Sequence, residues 1–96
     1  MPEKVRRTLD AMESKKFNVE MLDPGECLIT FPKNYPNKTE GSGYDIMISF
    51  FDWNGQFGVY KQNNGNDPKR INAPGGANYW EEDQVVKFLL NVTKNV

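Results

Sequence analysis

The sequence predicts an α+β fold: a two-layer sandwich in which an antiparallel four-stranded meander is flanked by N- and C-terminal helices. Three observations carry this reading. Apolar residues recur at helical spacing near the two ends of the chain. Between those ends, several stretches alternate apolar and polar residues with the two-residue period of a strand. Asp23-Pro24-Gly25-Glu26 and Asn54-Gly55 are turn signals that join neighbouring stretches as hairpins rather than crossovers. The expected order is α-β-β-β-β-(β)-α, the bracketed strand being a short fifth one. A length of 96 residues suits one domain, residues 1–96, and is too small for two.

The first helix follows from Pro2, whose missing N–H costs nothing in a first turn, and from Glu3 at the positive end of the dipole. Val5, Leu9 and Met12 fall at i, i+4 and i+7 and draw one narrow apolar stripe. Lys4, Arg6, Arg7, Asp10 and Glu13 occupy the rest of the surface, and Lys15 and Lys16 close the last turn. Residues 17–32 read as a hairpin: Phe17, Val19 and Met21 alternate before the turn, and Cys27, Ile29 and Phe31 after it.

Residues 32–43 hold two prolines and two glycines among polar residues and read as a loop. Residues 44–53 are apolar on both alternating sets, which predicts a central strand or one covered on both sides. Phe57 and Val59, set against Gln56, Gly58 and Tyr60, form the returning strand. Residues 61–78 are rich in asparagine, glycine and proline, and Ile71 marks a short fifth strand at Lys69 to Ala73. Asn78 and Glu81 resemble a capping box ahead of a final helix. Val85, Val86, Leu89, Leu90 and Val92 give that helix its broad apolar face, widened by Trp80 and Phe88. Consecutive hairpins favour an antiparallel meander with both helices packed on one face; if the helices share that face, Met47, Phe51 and Trp53 need other cover, and the sequence leaves open whether they do.

Composition narrows the chemistry mainly by exclusion. Hydrophobic residues make up 38% of the chain and aromatics 12%, which favours a folded globule. Twelve basic residues against thirteen acidic ones leave a net charge of −1, arguing against a binder driven by phosphate neutralisation. The chain has no histidine and one cysteine, Cys27, so a histidine triad, a His/Cys zinc site and an internal disulfide are excluded. Cys27 shares an alternating strand face with Ile29 and Phe31, which reads as a buried, inert thiol. Glu81, Glu82 and Asp83 are explained by the helix start. Asn63 to Asp67 is oxygen-rich, but it holds one carboxylate and lacks calcium-loop spacing. Pro74-Gly75-Gly76-Ala77 has neither nucleotide-loop pattern, and the acids that follow would repel a phosphate. The expectation is therefore no catalytic residue, no cofactor and no metal.

What remains is binding. Tyr35, Met47, Phe51, Trp53, Tyr79 and Trp80 are of the types enriched at interface cores, and they predict a protein partner. An inhibitor or immunity-type protein is the sharpest form of that expectation. A nucleic-acid-binding module using Lys4, Arg6, Arg7, Lys69 and Arg70 is the alternative, since aromatics on an open sheet face can stack bases. A homodimer or a small-ligand domain is the third. No apolar run follows the charges at the N-terminus and none is long enough to span a bilayer. With one unpaired thiol, the expected compartment is the cytoplasm.

Overall fold

Pro2 precedes the first helix, α1 (Glu3–Ser14), and its carbonyl accepts a hydrogen bond of 3.0 Å from the Arg6 amide. Burial of Val5, Leu9 and Met12 confirms the single stripe. The helix ends at Ser14 with Lys15 as its cap, and the next residue, Lys16, takes a left-handed φ of 75° that lets the Phe17 amide reach back to the Met12 carbonyl at 3.2 Å. In this computed structural model, residues 1–22, 25–36, 43–63 and 66–96 are described.

The remaining elements are β1 (Asn18–Leu22), β2 (Glu26–Thr30), β3 (Ile46–Phe51), β4 (Gln56–Asn63), β5 (Asn66–Ile71) and α2 (Glu82–Thr93). The five strands form one sheet in chain order, every neighbouring pair antiparallel. Cys27 faces Ile48, which faces Val59, and Ile29 faces Ile46. Because side chains alternate across a strand, this register sends Cys27, Ile29, Ile46, Ile48, Phe57 and Val59 to one face. All six are buried in a single cluster with Val5, Leu9 and Met12 of α1 and Val85 and Leu89 of α2. Both helices therefore cover the same face of the sheet.

Three features differ from the sequence reading. The fifth strand runs Asn66–Ile71 rather than Lys69 to Ala73, and β4 continues to Asn63, so much of the segment read as a long loop is a hairpin. Lys61 and Lys69 pair across it with no apolar residue between them; periodicity is silent where neither face meets a core. Second, the capping box lies one turn later than Asn78 and Glu81: Glu81 is the cap, and its amide donates to Gln84 Oε1 at 2.9 Å. Third, β3 spans Ile46–Phe51, shorter than residues 44–53. Asp45 sits buried just before it, with Oδ2 accepting from the Phe31 amide at 2.9 Å. Residues 23–24, 37–42 and 64–65 lie outside the described residues. Asp23 and Pro24 of the first turn signal and Asn64 and Gly65 of the oxygen-rich segment fall there.

Candidate binding face

The second alternating set looks away from the helices. Leu28, Met47, Tyr60 and Arg70 face one another in a row across β2, β3, β4 and β5. Glu26, Ser49 and Gly58 form the next row, and Phe51 lies opposite Gln56 beyond it. Gly58 matters here because it has no side chain. A Cβ at that position would stand 2.7 Å from the Tyr60 hydroxyl, so the Tyr60 ring lies flat over the glycine. The Arg70 guanidinium carbon is 5.9 Å from the Tyr60 ring centre and 5.8 Å from that of Tyr79, within cation–π reach of both.

Tyr79 arrives from the segment after β5. Phe57 and Trp80 exchange both main-chain hydrogen bonds at 2.8 Å, an isolated bridge that extends the sheet past the end of β5. Trp80 turns inward: it is 4% exposed, its indole N–H donates to the Ile71 carbonyl at 2.8 Å, and its ring meets Phe88 edge to face. Tyr79 meets Phe51 and Trp53 edge to face, each at 5.7 Å between ring centres, and Phe51 and Trp53 are 6.2 Å apart. Trp53 remains 70% exposed. The result is a trio of aromatic rings in mutual contact with an arginine at its edge, on a face neither helix covers.

Of the residues expected to bind a protein, Met47, Phe51, Trp53 and Tyr79 stand on or beside this face. Trp80 belongs to the core instead, because it needs both its ring contact and its N–H partner inside. Tyr35 packs against Phe17 and Phe31 and receives a hydrogen bond of 3.2 Å from Asn95 past the end of α2, which makes it part of the core's rim. The basic residues are not brought together. Lys4, Arg6 and Arg7 lie on α1 in the helix layer, where Lys4 pairs with Asp83 at 3.3 Å and Arg7 with Glu3 at 3.8 Å. Arg70 is on the opposite layer at the far edge of the sheet, and Lys69, next to it in an edge strand, points to the other side. Tyr60, Gly58, Ser49 and Glu26 were missed as site residues, though the alternation around Phe57 and Val59 already puts Gly58 and Tyr60 on the outer face.

Charge is graded across the face, from Glu20 and Glu26 on β1 and β2 to Arg70 on β5. Among the described residues, no group of three or more His, Cys, Asp or Glu could hold a metal ion. Cys27 is 0% exposed, and burial, reinforced by the Glu13 charge and opposed by Arg6, pushes its thiol up to about 12. At neutral pH it is a protonated thiol with no access to solvent. No helix among the described residues is long and apolar enough to cross a membrane. No family model matches the chain, and no curated protein or solved structure is significantly similar to it.

Proposed function

We propose that this protein is a small non-enzymatic interaction domain that binds another protein through the open sheet face, with Trp53, Phe51 and Tyr79 as its centre. The observation that carries the reading is the exposure of Trp53 within a ring cluster already held in place by Phe51 and Tyr79. Tryptophan and tyrosine dominate interface hot spots, and a preordered ring loses little conformational entropy on binding. Tyr60, Met47 and Leu28 add half-buried apolar surface beside the cluster, and Arg70 supplies the cation type most favoured at interfaces. An inhibitor or immunity-type role, in which such a face occludes a partner's own site, is the specific form we favour. A lone buried thiol suits a reducing, cytoplasmic setting.

The scattered basic residues weigh against nucleic acid, because a phosphate track needs cations along one groove. The test is capture from nuclease-treated lysate of the source organism at two salt concentrations, using wild-type protein and Trp53→Ala in parallel. The reading expects a stoichiometric protein retained by the wild type at both salts and lost from Trp53→Ala. Retention of nucleic acid that vanishes with nuclease or salt would replace it with the nucleic-acid reading. A dimer in light scattering that Trp53→Ala dissociates would replace it with self-association.

A further inference from the structure

Beside Trp53 the open face dips into a depression of roughly 490 Å³ lined by Glu26, Ser49, Phe50, Phe51, Asp52 and Trp53. Glu26 and Ser49 are direct cross-strand neighbours, and Phe51 follows Ser49 on the same face of β3. Ser49 is 7% exposed although it points away from the core, and its hydroxyl makes no hydrogen bond to another described residue. That hydroxyl is an acceptor left free at the wall of the depression. Among the described residues neither Glu26 nor Asp52 has an ion-pair partner. Two carboxylates and a hydroxyl acceptor thus share a small space walled by two aromatic rings.

We propose that this depression receives a protonated lysine or arginine side chain of the partner protein. The inference rests on the protein-binding reading above and adds what the partner must present. Each part of the pocket answers to one part of such a side chain. The aliphatic stem lies along the Phe51 and Trp53 rings, whose faces also attract the charge. The head group donates to the Glu26 and Asp52 carboxylates and to the Ser49 oxygen, giving charge-assisted hydrogen bonds in a partly desolvated site. An anionic group would meet two carboxylates, and a phosphate backbone is disfavoured for the same reason. A purely apolar side chain would desolvate Glu26 and leave Ser49 unsatisfied. Two carboxylates and one hydroxyl fall short of the six to eight oxygens a calcium ion takes.

The test titrates the protein with n-butylguanidinium and, in parallel, with the uncharged isostere N-butylurea, following backbone amides by NMR. The expected result is saturable shifts confined to Glu26, Ser49 and residues 51–53 with the cation alone, at a Kd on the order of 1 mM. Glu26→Gln with Asp52→Asn should weaken the cation at least about tenfold, equivalent to ~1.4 kcal/mol, while Asp83→Asn leaves it unchanged. Equal binding of the urea, an unchanged Kd in the double variant, or no shift at these amides would overturn the proposal. The titration needs no partner, so it fails or succeeds separately from the interaction reading. If Trp53→Ala abolishes partner capture while Glu26→Gln with Asp52→Asn leaves it intact, the basic anchor is wrong and the binding face stands. If the cation binds as expected but Trp53→Ala leaves capture intact, the protein-binding reading on which the anchor rests is wrong.

Discussion

Phe57 and Trp80 exchange paired main-chain hydrogen bonds of 2.8 Å, and this single bridge divides the core from the open sheet face. It takes a chain segment of no regular structure and gives it the alternation of a strand for one step. Trp80 goes in against Phe88, and Tyr79 is left among Phe51 and Trp53. Sheet geometry thus positions a ring that no strand of its own carries.

The two tryptophans should therefore separate stability from binding. Trp80→Ala removes a buried ring and leaves the Ile71 carbonyl without its donor, and should cost about 3–5 kcal/mol. Trp53→Ala removes an exposed ring and should change stability by less than about 1 kcal/mol. Urea unfolding of the two variants against wild type measures both.

Gly58→Ala should leave the fold intact and disturb the face. The added methyl meets the Tyr60 hydroxyl end, the far part of a side chain that can swing away. Stability should shift by under about 1 kcal/mol, whereas the Tyr60 ring should leave Arg70, weakening partner binding. Aromatic chemical shifts of Tyr60 report the displacement directly.

Backbone conformation gives a cleaner pair. Gly55 has a φ of 70° and nothing near the place a Cβ would occupy. Gly55→Ala should thus cost about 1 kcal/mol from the left-handed conformation alone. Lys16 holds the same conformation without being glycine, so Lys16→Gly should stabilise by about 0.5–1 kcal/mol. Denaturant midpoints should move in opposite directions.

Cys27 predicts an alkaline limit on stability. Its folded pKa, about 12, lies above the ordinary value of 9.0. Above pH 9 the unfolded chain therefore releases a proton that the folded one keeps. Stability from this group is complete below that pH and falls between 9 and 12, by up to ~1.4 kcal/mol per pH unit. Cys27→Ala should lower stability at neutral pH through the lost packing and flatten the alkaline slope. A thiol reagent should label wild type only on unfolding; rapid native labelling would show the thiol exposed.

Most of the layout was legible because the core writes itself into the pattern. Val5, Leu9 and Met12 mark the face of α1, and the alternation of Cys27 with Ile29 and of Phe57 with Val59 marks the inward side of the sheet. The far half of the β4–β5 hairpin was not, since Lys61 and Lys69 pair where no core lies beneath them. Trp53 and Trp80 show the same limit for the site. Both are tryptophans near turns, and only the bridge to Phe57, a long-range contact, sends one inside. Ser49 was hidden for a related reason: its burial comes from its neighbours on the outer face rather than from its own place in the period.

The account stands on the claim that the open face around Trp53, and not the helix layer, meets the partner. Calorimetric titration of the captured partner against wild type, Trp53→Ala and Leu90→Ala tests it most directly, because Leu90 is an exposed apolar residue on α2. The prediction is a loss of about 30-fold or more for Trp53→Ala, equivalent to ~2 kcal/mol, with Leu90→Ala indistinguishable from wild type. Full affinity in Trp53→Ala together with a loss in Leu90→Ala would contradict it and move the interface to the helices.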